Sequence, residues 1–143
     1  MVFLLNSMMD KMNDSHDTQL SAACLLLSVA EADEILEKQE LDTIRDILKD
    51  FFATTENNAN DLVHEAQVKM KNATGLFEFG QHLNSVFDQR DRVDFISCVF
   101  EVAYADGDLH YLEHHTIKKI ANILNVHRKD ILASKTIIEN FID

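Results

Sequence analysis

Residues that end helices and form turns are scarce in this sequence. Its 143 residues include no proline and only three glycines. Sheet proteins need many such residues at their turns, whereas long helices contain few of them. Hydrophobic residues make up 46% of the chain, which is enough for a packed core. The sequence therefore predicts an all-α fold, a bundle of seven to eight helices forming a single domain over residues 1–143.

Basic residues are also scarce relative to acidic ones. The chain has 13 lysines and arginines against 25 acids, which gives a formal net charge of -12. A surface of this sign repels nucleic acids and anionic membranes, so neither is expected as a direct partner. The charge leaves three possibilities, namely cations as ligands, basic proteins as partners, or solubility alone.

Cysteine is limited to two positions, and the chain opens without a long hydrophobic run. Cys24 and Cys98 lie in apolar runs with no CxxC spacing, so both are predicted to be small buried hydrophobic residues. The run Val2–Leu5 is too short for a signal peptide or a membrane span, and it predicts a short amphipathic helix. A cytoplasmic location is expected in consequence. The sequence contains neither a glycine-rich phosphate loop nor a GxSxG motif, so no motif of this kind points to an enzyme.

The sequence matches itself at a constant offset. Residues 29–47 (VAEADEILEKQELDTIRDI) align without a gap with residues 102–120 (VAYADGDLHYLEHHTIKKI). Nine of these nineteen pairs are identical: Val29/Val102, Ala30/Ala103, Ala32/Ala105, Asp33/Asp106, Leu36/Leu109, Glu40/Glu113, Thr43/Thr116, Ile44/Ile117 and Ile47/Ile120. An internal repeat of this kind indicates a repeated supersecondary unit.

Each copy is predicted to be a pair of helices, in halves of about residues 20–52 and 93–125. The first helix of each pair, Leu20–Ala32 or Val93–Ala105, is apolar around most of its circumference and is expected at the centre of the fold. The second helix, about Leu36–Phe52 or Leu109–Asn125, is amphipathic.

Turn residues predict the joints and the rest of the chain. Gly107 is expected to end a helix with a positive φ, and Asp108 to cap the next one. The remaining predictions are a loop at Thr54–Asn60, a helix at Asp61–Asn72, a helix split near Gly75 and Gly80, a charged turn at Asp88–Asp91, and a closing helix with Ile131, Leu132, Ile137 and Phe141 inward.

Four acidic residues of the repeat need an explanation other than packing. Asp33 pairs with Asp106 and Glu40 with Glu113, so each buried helix ends in an aspartate that a glutamate follows in the next helix. If the halves pack about a pseudo-twofold axis, the four carboxylates converge and repel one another. A hard cation such as Ca²⁺, Mg²⁺ or Mn²⁺ would offset that repulsion. A basic side chain or capping bonds to backbone N–H groups would also do so, and both explanations stay open.

Two other kinds of metal site are less consistent with the sequence. Aligning Glu113 with the last ligand of an EF-hand loop puts Val102 and Tyr104 where oxygen ligands are required, which excludes that loop. His110 and His114 share a helix face and could hold a transition metal. Because the first copy has no matching histidines, this face is predicted to be solvated.

The stretch AYADGDLHYLE at 103–113, with the run IANIL at 120–124, resembles the TerB-like (tellurite-resistance B) family over roughly residues 17–141. The resemblance implies an all-α fold with an internal duplication and a role in tellurite resistance or wider stress and phage-defence systems. It also implies membrane-associated protein partners and a divalent metal ion at Asp33, Glu40, Asp106 and Glu113, whereas a basic protein partner is expected from the net charge. The first copy departs from the motif at Glu34, where glycine is expected. A metal-free acidic scaffold for protein interactions is the alternative.

Overall fold

The computed structural model of the chain describes residues 2–32, 36–107 and 109–141, with side chains from residue 15 to residue 140. Within these ranges the chain forms helices and no strands, so the predicted all-α class is confirmed. The helices are α1 (Val2–Ala30), α2 (Lys38–Phe51), α3 (Glu56–Lys71), α4 (Phe77–Val86), α5 (Gln89–Ala103), α6 (Tyr111–Ile123) and α7 (Arg128–Phe141).

Helix α1 is the central element of the bundle. Its second half, from Leu20 to Ala30, is buried almost throughout, and it contacts α2, α3, α4, α5 and α6. The prediction of a separate short helix at the start of the chain is wrong, because α1 is continuous from Val2 to Ala30. No glycine or proline stands between the two predicted helices, so nothing in the sequence interrupts the backbone hydrogen bonds there.

Helix α5 is the second buried element, as its apolar sequence predicts. Phe95, Ile96, Val99 and Phe100 are at most 1% exposed, and the helix contacts α1, α2, α6 and α7. The ring centroid of Phe95 lies 5.9 Å from that of Phe51 on α2. This aromatic contact joins the second helix of the first half to the first helix of the second half.

Two polar segments predicted to be loops are instead the first turns of helices. Within Thr54–Asn60, α3 already begins at Glu56, and the Thr55 hydroxyl accepts a hydrogen bond from the Asn58 N–H at 3.1 Å. Within Asp88–Asp91, the Asp88 carboxylate accepts from the Asp91 N–H at 2.8 Å, so α5 begins at Gln89. Threonine and aspartate are preferred N-cap residues, which is why these polar clusters start helices rather than interrupt them.

The predicted split near Gly80 is also wrong, because α4 continues through it. A Cβ atom at Gly80 would lie 2.3 Å from Cγ2 of Ile123 on α6. The side-chain amide of Asn84, one turn further along α4, donates a hydrogen bond to the Ile123 carbonyl. Gly80 therefore allows α4 and α6 to approach closely, and no bend requires it.

Helix α7 packs on α5 with a different face from the one predicted. Leu132 and Ile137 are each 52% exposed, whereas Ser134 and Ile138 are buried and Ile131 is partly buried. The inward stripe follows the spacing i, i+3, i+7 from Ile131, so Ile131 lies on it whereas Leu132 and Ile137 do not. The side chain of Phe141, the fourth predicted residue, lies outside the described residues. None of the described helices is long and apolar enough to cross a membrane.

Candidate functional site

The joint between α5 and α6 begins with the turn at Gly107. Its φ is +98°, and its N–H donates a hydrogen bond to the Tyr104 carbonyl at 2.8 Å. The predicted positive φ at Gly107 is therefore confirmed. Residues other than glycine rarely adopt this backbone conformation, which explains why a glycine stands here. The N-cap of α6 is His110 rather than Asp108, and Asp108 lies outside the described residues.

The two matched glutamates occupy the same place in their helices. Glu40 is the third residue of α2, and its Oε1 accepts a hydrogen bond from the Glu37 N–H at 3.2 Å. Glu113 is the third residue of α6, and its Oε1 accepts from the His110 N–H, also at 3.2 Å. Each carboxylate thus satisfies a backbone donor that the first turn of a helix leaves free.

Both glutamates are buried, which is unusual for carboxylates. Glu40 is 2% exposed and Glu113 is fully buried. Burial raises the pKa of Glu113 to about 8; the hydrogen bond from the His110 N–H opposes this rise, and the adjacent carboxyl of Glu40 adds to it. The α2 and α6 helices therefore bring their matched carboxyls next to each other in the interior.

One oxygen of this pair lacks a hydrogen-bond donor. Oε2 of Glu113 is buried, and no donor from the described part of the chain reaches it. When both groups are ionised, each offers only acceptor oxygens to the other. A proton on Glu113 would let it donate to Glu40, which is why the neighbour raises its pKa. A cation between the two groups would serve the same purpose.

Asp106 is linked to Glu113 through the side chain of His110, which lies between them. Its Oδ2 lies 3.1 Å from Nε2 of His110, and that nitrogen lies 4.0 Å from Oε1 of Glu113. The side chain of His110 is 44% exposed, as the predicted solvated face requires, and it also contacts Asp106, which was not predicted from the sequence. The sequence carried a signal, since Asp106, His110 and Glu113 follow at spacings of four and three residues.

Of the four carboxylates that were predicted to converge, the structure describes three. Glu40 meets Glu113, and Asp106 reaches the pair by way of His110. Asp33 lies outside the described residues. Among the residues that are described, no group of three or more His, Cys, Asp or Glu side chains has the arrangement of a complete metal site.

The paired glutamates supply carboxylate oxygens, which are donors of the kind that a hard divalent cation prefers. Two buried carboxylates face each other, and one oxygen, Oε2 of Glu113, has no donor within the described ranges. Carboxylate oxygens are the ligands that Ca²⁺, Mg²⁺ and Mn²⁺ prefer. Glu40 and Glu113 are the residues that would hold such an ion, with Asp106 at the edge of the site.

These features define an all-α protein in which the first turns of α2 and α6 carry matched glutamates that meet in its interior. The family model described as "Tellurite resistance protein TerB" matches residues 19–135 of the 143-residue chain. The chain therefore belongs to the TerB family, as the resemblance predicted. Comparison with curated proteins and with solved structures gives no significant match.

Proposed function

We propose that this protein acts in tellurite resistance or a related stress response and binds one divalent cation between its two helix pairs. The observation that carries the proposal is the buried pair of Glu40 and Glu113, whose carboxyls lie against each other and leave Oε2 of Glu113 without a donor among the described residues. Two carboxylates in that position are unfavourable unless a proton or a cation accompanies them.

The cation has a structural role in this proposal. Glu40 belongs to α2 and Glu113 to α6, so an ion held by both would cross-link the two halves of the bundle. It would also replace the proton that the raised pKa of Glu113 implies near neutral pH. The ligands that we assign are Glu40, Glu113, Asp106 and Asp33, of which the two glutamates are central.

Thermal unfolding with and without metal tests the proposal. We expect Ca²⁺, Mg²⁺ or Mn²⁺, added to chelator-treated protein, to raise Tm, because ligands that bind only the folded state stabilise it. The double variant Glu40→Gln with Glu113→Gln keeps the side-chain shapes and the acceptor oxygens for the caps. It should therefore fold but show no metal-dependent shift.

The control is Asp61→Asn with Glu56→Gln, two exposed positions on α3 that remove the same charge. This variant should respond to metal as the wild type does. Equal shifts in both double variants would mean that any binding is unspecific surface attraction. No shift in the wild type with any of the three ions would overturn the metal proposal.

A metal-free acidic scaffold is the second candidate, and a specific observation favours it. Both glutamates already accept hydrogen bonds from the N-cap amides of their helices, which by itself explains two acids at matched positions. In this case the acidic surface, with its net charge of -12, binds a basic protein partner. Binding of such a partner, measured by pull-down from 50 to 500 mM salt, would weaken with salt, whereas chelation would not affect it.

The cellular part of the proposal is a cytoplasmic role in the response to tellurite. The family match supports it, and the described helices contain no membrane-spanning candidate. Cell fractionation should recover the protein with the cytoplasmic fraction. Loss of the protein should increase sensitivity to tellurite, and the Glu40→Gln with Glu113→Gln variant should fail to restore growth. Unchanged growth of the deletion strain on tellurite would contradict this role.

A further inference from the structure

A cavity of about 440 Å³ lies between α2 and α5, away from the paired glutamates. Its α2 side is formed by Asp46, Ile47, Asp50 and Phe51 together with Thr43, and its α5 side by Cys98 and Glu101. The cavity therefore combines three carboxylates with an apolar wall. No feature of the proposed metal site requires such a cavity.

The three carboxylates of the cavity are exposed to solvent, and no described basic side chain neutralises them. Asp46, Asp50 and Glu101 form no ion pair within the part of the chain that the structure describes. Burial raises the pKa of Glu101, and the charge of Asp50 across the cavity raises it further. The site thus holds repelling negative charges that a cationic group would relieve.

The wall of the cavity suits a ligand with an apolar stem. Ile47 is buried, Phe51 is partly buried, and the Cys98 thiol is kept neutral because burial raises its pKa to about 12. A lysine or arginine side chain has this composition, since a chain of methylene groups carries a charged head. Its stem would lie on Ile47 and Phe51, and its head would reach the carboxylates.

We propose that the α2–α5 cavity receives a basic side chain, lysine or arginine, presented by a partner protein. Charge complementarity between the three unpaired carboxylates and such a side chain carries the assignment. A protein fits better than a small polyamine because negative charge continues outside the cavity. Asp94, on the same helix one turn before Cys98, is exposed and contributes to the field at that thiol.

A labelled peptide of alternating lysine and alanine tests this site on the full-length protein in the presence of chelator. We expect Asp50→Asn with Glu101→Gln to weaken peptide binding about ten-fold, measured by fluorescence anisotropy, since charge-assisted bonds are lost. The charge-matched variant Glu56→Gln with Asp61→Asn should bind the peptide as the wild type does.

Alkylation of Cys98 by iodoacetamide, carried out at about pH 9 so that a reactive fraction of the thiol is ionised, locates the bound peptide. Cys24 has no exposed surface and serves as the internal reference in the same chain. Within each variant, the ratio of Cys98 alkylation rates with and without peptide is compared, because removing two carboxylates changes the thiol itself. The peptide should slow Cys98 alkylation in the wild type and in the charge-matched variant, but not in Asp50→Asn with Glu101→Gln.

Three outcomes would overturn the assignment. Equal peptide binding by the two double variants would show general attraction to an acidic surface. Protection of Cys98 by spermidine but not by the peptide would show a small-molecule site. Unprotected Cys98 at saturating peptide would place the contact elsewhere. Glu113→Gln should bind the peptide normally, so failure of the metal proposal leaves this test intact.

Discussion

At the scale of single residues, Glu113 is the most informative side chain of this protein. It is fully buried, caps the first turn of α6 and lies against Glu40 from the other half. The sequence predicted that the acids at these matched positions meet, and it also offered capping as an alternative. The structure supports capping directly, and capping and metal binding are compatible because each carboxylate has two oxygens.

The raised pKa of Glu113 predicts how stability depends on pH. Its folded pKa of about 8 lies above the ordinary value of a glutamate carboxyl, 4.5, so the folded state binds the extra proton between these limits. The stability linked to this proton is present below pH 4.5 and is lost as the pH rises through 8. In chelator, Tm should therefore fall between pH 7 and pH 9.

Glu113→Gln should remove most of this fall in Tm, because glutamine is neutral throughout. Glu40 and His110 are the titratable groups that face Glu113. Asp61→Asn should keep the wild-type pH dependence. An equal fall in Tm for Glu113→Gln would show that the proton is held elsewhere.

The sequence did not predict the role of His110, which depends on the contacts of its side chain with neighbouring residues. His110 was set aside because its partner position in the first copy is Glu37, yet it bridges Asp106 and Glu113. Repeat matching cannot detect a residue that is present in one half only. The spacing of Asp106, His110 and Glu113 along the chain, rather than identity between the halves, was the signal that pointed to His110.

At the scale of elements, the approach of α4 to α6 depends on one missing side chain. Gly80→Ala would place a Cβ atom 2.3 Å from Cγ2 of Ile123, so one helix must shift. We expect a loss of about 1–3 kcal/mol in unfolding free energy, measured with urea. This loss would outweigh the gain in helix propensity of about 1 kcal/mol that alanine gives over glycine.

Removal of the opposing atom provides the control for Gly80→Ala. Ile123→Ala deletes Cγ2, so the double variant should lose less stability than the sum of the two single losses. Gly75→Ala is a second control, because a Cβ atom there meets nothing within 4 Å. Additive losses in the double variant would contradict the assigned contact.

Helix existence followed from the sequence more reliably than helix ends and faces. Hydrophobic periodicity located the helices, but Thr55 and Asp88 were assigned to loops although they cap α3 and α5. Polar clusters look alike whether they cap a helix or connect two. Gly80 was misassigned for a related reason, since sequence alone does not distinguish a glycine that bends a helix from one that another helix packs against.

At the scale of the whole molecule, the core joins the two halves through aromatic packing. Phe95 on α5 is 1% exposed, and its ring centroid lies 5.9 Å from those of both Phe51 and Phe87. Phe95→Ala should lower the unfolding free energy by roughly 3–5 kcal/mol, because it leaves a cavity between the halves. Phe77→Ala, at a position that is 64% exposed, should change it by about 0.5 kcal/mol or less. Comparable losses for the two variants in urea unfolding would contradict this assignment of the core.

The contact between Glu40 and Glu113 has a consequence for how the two halves can change over evolutionary time. A lone carboxylate that loses its partner keeps the cost of burial and no longer shares a proton or an ion. Replacement of one glutamate by an apolar residue therefore favours replacement of the other. Within the TerB family the two positions should be inherited together, both acidic or both not. The repeat would then be maintained by mutual dependence at this point, while its surface residues diverge freely.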